Sequence, residues 1–198
     1  MPQLQYYQIY KPYGMLSQFT KELGKPTLGE LFDFDKNIYP IGRLDADSEG
    51  LLLLTNDKSI NNKLLLPSNK HKRTYLVQVE GCFSEEAKHT LETGLAINIG
   101  GKIHHTQPTK CVIIANPIVP ERNPPIRYRK AIPTSWIRLT LTEGKNRQVR
   151  KMTAQSGYPT LRLIRESIES LNINGMQPGD VVELDKAVFY KKLNLSSP

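Results

Sequence analysis

Two stretches of the chain alternate strictly between apolar and polar positions. In Thr74 to Glu80, Tyr75, Val77 and Val79 point one way and Leu76 and Gln78 the other. In Trp136 to Thr142, Ile137, Leu139 and Leu141 oppose Arg138, Thr140 and Thr142. A period of two predicts a strand at each. Residues 5 to 10 are aromatic and β-branched, a strand that stops at the turn Lys11-Pro12-Tyr13-Gly14. Leu51 to Leu54 form an unbroken apolar run, and with Thr55 they predict a core strand. Arg162 to Glu166 and Val181 to Leu184 read as further strands, the second entered through the turn Gln177-Pro178-Gly179-Asp180.

Helices are marked by caps and by spacings of three and four. Thr27-Leu28-Gly29-Glu30 has the form of a capping box, with Leu28, Leu31 and Phe32 as the apolar side of a short helix. Asp57 can cap a helix to about Leu65, in which Ile60 and Leu64 share a face before Pro67. Ser84-Glu85-Glu86 opens another, with acids at the positive end of the helix dipole and Gly94 as its stop. Asn146 is expected to cap a helix to Ser156, closed by Gly157 and Pro159. On that helix Val149, Met152 and Thr153 take one side, while Arg147, Arg150 and Lys151 share the other. Three cations on one face repel one another unless phosphates or a carboxylate compensate them.

Residues 95 to 114 hold several β-type segments around Gly100-Gly101. Within them His104 and His105 face opposite ways and lack a nearby partner set for a metal. Residues 115 to 135 break the pattern: five prolines and four basic residues with little periodicity predict a long loop, read as a mobile basic arm. The element order is α+β. It lacks both the regular βα alternation of a doubly wound fold and a glycine-rich nucleotide loop.

Composition changes this picture in two ways. The 198 residues are 38% hydrophobic and 23% charged, an ordinary globular profile without any run near the roughly 18 apolar residues that span a bilayer. Neither membrane insertion nor an export signal is expected. Cys82 and Cys111 are too few for a disulfide framework and are read as buried thiols. The net charge of +8 favours a polyanionic partner. Three basic clusters, Lys70 to Arg73, Arg127 to Lys130 and Lys145 to Lys151, would form a phosphate track if they converge.

The chemistry concentrates in Gly42-Arg43-Leu44-Asp45-Ala46-Asp47-Ser48-Glu49-Gly50, just before the leucine run. The leucines demand burial and the acids resist it, so the segment reads either as an acidic turn or as an active-site loop. Asp45, Asp47 and Glu49 could converge on Mg²⁺ in a nuclease, although Arg43 sits among them and there is no second acidic cluster. A single reacting aspartate with an arginine partner and an aromatic to hold a base is the other reading, which Asp45, Arg150 and Tyr75 fit. A pure RNA-binding module would share the basic face and the aromatics but has no use for an acid in its groove.

At these residues the chain resembles the RsuA-like family of ribosomal RNA pseudouridine synthases. Gly42 to Asp57 is similar to the family's central motif over its whole length, Lys72-Arg73-Thr74-Tyr75 to the second, Glu143 to Met152 to the third and Leu163-Ile164-Arg165 to the fourth. Tyr10 to Gly14 and Gly175 to Asp180 also fit, so the resemblance spans roughly residues 6 to 185. It implies a curved, mostly antiparallel sheet with flanking helices and a central cleft between two lobes. Residues 1–198 would be a single catalytic domain without the small RNA-binding domain that many members carry in front, as in members acting on large-subunit rRNA. The implied activity is isomerisation of a uridine in rRNA to pseudouridine, with base flipping and without cofactor or metal. Asp45 would be the essential aspartate, Tyr75 the aromatic stacked on the uracil and Arg150 the partner of Asp45. Arg43 would enter the RNA helix, and Leu163 would contribute to the apolar floor. Lys72, Arg73, Lys145, Arg147, Lys151 and Arg165 would bind RNA. The expected partner is structured rRNA and the expected state a cytoplasmic monomer. Asp47 and Glu49 are left as acids that shape the turn.

Overall fold

The structure is a computed structural model and describes residues 3–127, 129 and 131–196. In chain order its elements begin with β1 (Tyr6–Lys11), β2 (Tyr39–Pro40), β3 (Glu49–Thr55) and α1 (Ser59–Leu65). β4 (Arg73–Glu80), α2 (Glu85–Thr93), β5 (Ala96–Ile99), β6 (Lys102–His105), β7 (Lys110–Ile114) and β8 (Thr134–Leu141) follow. The chain ends with α3 (Gln148–Gln155), β9 (Thr160–Ile168), β10 (Leu171–Asn172), β11 (Val181–Glu183) and α4 (Lys186–Lys192). This is an α+β fold, and it divides into two compact units: residues 1–71 with 165–198, and residues 72–164.

In the first unit β1 runs antiparallel to both β3 and β11, and β2 lies antiparallel on β3. All seven residues of β3 are buried. Its leucines divide by the period of two between separate cores: Leu51 and Leu53 pack with Tyr6, Ile60, Leu64, Phe189 and Tyr190, whereas Leu52 and Leu54 pack with Tyr7, Ile9, Leu28 and Leu44. A strand covered on both faces is apolar at every position, so the sequence runs rather than alternates.

Asp57 knots this unit together. Its Oδ2 accepts hydrogen bonds from the hydroxyls of Tyr6 (2.9 Å) and Tyr190 (2.7 Å), and its Oδ1 from the amide and hydroxyl of Ser59. It therefore serves the start of α1, as its cap position suggested, and also joins β1 to α4. Burial opposes its ionisation, but the bonds from Tyr190, Ser59 and Tyr6 outweigh it and hold the carboxyl below its ordinary value. The Thr27 box is real but short: Glu30 accepts the Thr27 amide over one turn of 3₁₀ helix.

In the second unit β4 pairs antiparallel with β8, Tyr75 opposite Leu139, and β7 pairs with the other edge of β8. Val77, Val79, Ile137 and Leu139 form one core with Leu91 of α2, Met152 of α3 and Leu163. Ser84 caps α2 by accepting the Ala87 amide, and Gly94 ends it at φ +92°. β5 and β6 form a separate hairpin through Gly100-Gly101.

Two expectations need correction. α3 begins at Gln148, not after a cap at Asn146; Arg147 precedes it in the left-handed region at φ +51° without a side-chain cap. Cys82 is exposed and only Cys111 is buried, because Cys82 follows the end of β4 while Cys111 lies inside β7; both are free thiols. Burial in that strand pushes the Cys111 thiol up to about 12. The described part of the proline-rich arm carries side-chain contacts of its own. Arg122 donates to the carbonyls of Pro124 (2.8 Å), Pro125 (2.9 Å) and Leu161 (3.4 Å), and Arg162 donates to Pro120 (2.9 Å). Arg129 pairs with Glu80 at 3.1 Å. Tyr128 and Lys130 of the middle basic cluster lie outside the described residues.

Candidate active site

The acidic loop is held at three successive residues by the turn after β1 and by its own fold. Ser17 Oγ donates to the Leu44 carbonyl at 2.8 Å and accepts the Leu44 amide at 3.1 Å. The Gly14 amide donates to the Ala46 carbonyl at 2.7 Å, and the Ser48 amide to the Asp45 carbonyl at 3.0 Å. The Leu44 side chain is buried, so Asp45 sits half-buried between an anchored residue and a tight turn. Arg43, one residue earlier, is exposed. Gly50, where the loop enters β3, stands at φ +100°; a Cβ there would meet the Arg165 carbonyl oxygen at 2.4 Å, so only glycine allows the approach.

Lys11 lies fully buried at the end of β1. Its Nζ donates to the carbonyls of Met15 (2.7 Å) and Pro12 (3.0 Å). Burial lowers it to about 8 despite the attraction of Glu49, Asp47 and Asp45; Arg165 adds repulsion. Glu49 is itself buried at the head of β3. Asp47 and Glu49 thus belong to a charge cluster with Lys11 and Arg165. Among the described residues there is no group of three acidic, cysteine or histidine side chains placed to hold a metal ion.

Of the other residues singled out by the sequence, Arg165 belongs to the same unit as Asp45. It is buried, and its Nε donates to the Leu51 carbonyl at 2.7 Å, fastening β9 to β3. The rest belong to the second unit. Tyr75 is half-buried against the core of that unit, and Leu163 lies inside it. Lys72 is exposed and Arg73 half-buried at the start of β4. Lys145 and Arg147 are exposed, and Arg150 is half-buried on α3. Lys151 Nζ donates to the Asn98 carbonyl at 2.8 Å. A cavity of about 380 Å³ in this unit is lined by Gln78, Glu121, Arg122, Pro125, Ile126 and Arg162.

Sequence reasoning missed Ser17, whose partner lies 27 positions away and which carries no local signal. Lys11 and Gly14 lie within the Tyr10 to Gly14 turn, whose residue types give no sign of either contact.

The family described as RNA pseudouridylate synthase matches residues 5–155, a span holding this loop, Tyr75 and Arg150. The chain belongs to that family. Among curated synthases it is 47% identical over 174 residues to the ribosomal large subunit pseudouridine synthase E of Vibrio vulnificus, covering 88% of this chain and 72% of the relative. It is 37% identical over 180 residues to the ribosomal large subunit pseudouridine synthase B of Bacillus subtilis, covering 90% and 67%. A solved pseudouridylate synthase superposes with a TM-score of 0.78 at 25% identity, covering 97% of this chain and 75% of its own. The α+β fold is that of the pseudouridine synthases. No described helix of this synthase is long and apolar enough to cross a membrane.

Proposed function

We propose that the chain isomerises a uridine of large-subunit ribosomal RNA to pseudouridine, with Asp45 as the reacting carboxylate. The observation that carries this reading is the place of Asp45 in a loop fixed at Leu44, Asp45 and Ala46, within a chain of net charge +8. Relatives that bear the large-subunit name at up to 47% identity support the choice of RNA.

The reaction breaks the N1–C1′ bond, turns the uracil and joins it again through C5. The proton on C5 then leaves, so there is no net redox change. Asp45 acts either on the ribose or on the ring, Tyr75 holds the base and can take up or relay the departing proton, and Arg150 serves as the cationic partner of the acid. Unstacking the uridine costs a few kcal/mol, roughly, and an arginine that fills the gap offsets part of it; Arg43 is assigned that role. Lys72, Arg73, Lys145, Arg147 and Lys151 are assigned to the phosphates, where each lost contact would flatten the salt dependence of binding. Leu163 contributes to the apolar floor; Arg165, expected to bind RNA, is buried on the Leu51 carbonyl and is assigned instead to support of the β3 entry. Residues 1–198 act as one catalytic domain, monomeric and cytoplasmic.

Release of tritium from large-subunit rRNA labelled at uridine C5 tests the reading. The wild type releases it, in excess EDTA as well. Asp45→Asn binds the RNA and releases none. A nuclease or a binding module gives no release, and residual turnover of Asp45→Asn within about tenfold of wild type removes Asp45 from the chemistry; tenfold is only about 1.4 kcal/mol of barrier.

A further inference from the structure

The exposed segment Gly144-Lys145-Asn146-Arg147 is enclosed by two buried polar side chains, Glu143 and Gln148. Gln148 spans the turn. Its Oε1 accepts the Lys145 amide at 3.0 Å, its Nε2 donates to Glu143 Oε1 at 2.6 Å, and its own amide closes the turn on the Lys145 carbonyl at 3.1 Å. Glu143 Oε1 also accepts the Gln107 amide at 2.9 Å, and its Oε2 meets His104 Nε2 at 3.0 Å. The carboxylate therefore faces inward, engaged at both oxygens, while the two cations face solvent. Arg147, the last residue of the turn, stands in the left-handed region, so the turn does not continue as helix.

We propose that Glu143 is a positioning residue for RNA binding: acting through Gln148, it presets the 144–147 turn so that Lys145 and Arg147 meet neighbouring phosphates without first being ordered. An acid in a phosphate-binding segment would be unfavourable if it faced the RNA; buried as a hydrogen-bond acceptor it organises the cations instead. Preorganisation of this kind raises affinity by removing the ordering cost from the binding step. The inference rests on the reading of Lys145 and Arg147 as RNA contacts.

The test is a double-mutant cycle on affinity for an unmodified large-subunit rRNA transcript, measured at several salt concentrations. Glu143→Ala weakens binding about tenfold, and the salt slope shrinks by roughly one to two. The loss shows in KM, which rises by a larger factor than kcat at saturating RNA falls. Lys145→Ala with Arg147→Ala does the same, and adding Glu143→Ala to that pair produces no further loss, the mark of residues acting as one unit. Glu143→Gln keeps Oε1 for Gln107 and Gln148 and restores the wild-type affinity and slope. If Glu143→Ala does not fold, Gln148→Ala replaces it in the cycle. Additive losses, or a fall in melting temperature with an unchanged salt slope, overturn the positioning role and leave the RNA contact standing. A cation pair variant that binds like wild type overturns both, while tritium release by the wild type would still stand.

Discussion

Ser17 Oγ bonds both backbone polar groups of Leu44, the residue that precedes Asp45. One hydroxyl thus fixes the loop from which Asp45 projects. Ser17→Ala leaves a buried amide and carbonyl unpaired, at about 1–3 kcal/mol of stability. The expected outcome is a modest drop in melting temperature with kcat down about tenfold and KM little changed, since small displacements of a reacting group are costly. Steady-state kinetics beside thermal unfolding check it.

Gly50→Ala is expected to be far more damaging. The added methyl would sit 2.4 Å from the Arg165 carbonyl oxygen and 2.8 Å from its amide nitrogen, both backbone atoms, at a φ of +100°. A loss of at least about 3 kcal/mol follows, or roughly 10 °C in a chain of this size. Gly179→Ala is the control: its φ of +102° is similar but its nearest neighbour, Leu31 Cδ2, is 4.0 Å away. Thermal melts of the two variants should differ clearly.

Lys11 gives the stability a pH dependence of unusual sign. Its folded value of about 8 lies below the 10.5 of an ordinary lysine. Between these values the unfolded chain binds more protons, so stability rises with pH through that window, by at most about 3 kcal/mol. Urea titrations of wild type and Lys11→Met at several pH values should show the wild type gaining on the variant from pH 8 upward. A constant difference would count against a lowered folded value for Lys11.

Asp57 acts with the same sign in a more acidic window. Its folded value is depressed below 3.8, so its contribution is complete above that pH and is lost as the pH falls below it. Asp57→Ala abandons the hydroxyls of Tyr6 and Tyr190 and both bonds from Ser59 and should cost about 3 kcal/mol. Wild type should lose its advantage over Asp57→Asn in acid, read from unfolding midpoints carried from pH 7 down to about pH 2.

Strands were legible where one face is buried, because period-two alternation survives in β4 and β8, and where both are, because Leu51 to Leu54 leaves no polar position. The reactive loop was legible as a motif, but its support was not. Ser17 looks like any loop serine, and a lysine carries no mark that it will be buried as Lys11 is. The start of α3 was misplaced because Asn146 has the chemistry of a cap, whereas Glu143 and Gln148 decide the turn through bonds made before the helix begins. In 115–135 the prolines and charges mark a loop, but not that Arg122 and Arg162 would turn to carbonyls of Pro124 and Pro120.

Those contacts have a spectroscopic consequence. Three of the carbonyls that the guanidinium groups grip belong to Pro120, Pro124 and Pro125, residues that have no amide proton. Backbone hydrogen exchange at those three residues would therefore give no signal when the contacts open. Trypsin would give one, because the peptide bond after Arg122 is held by the same side chain that makes the contacts, and its cleavage rate would count the openings.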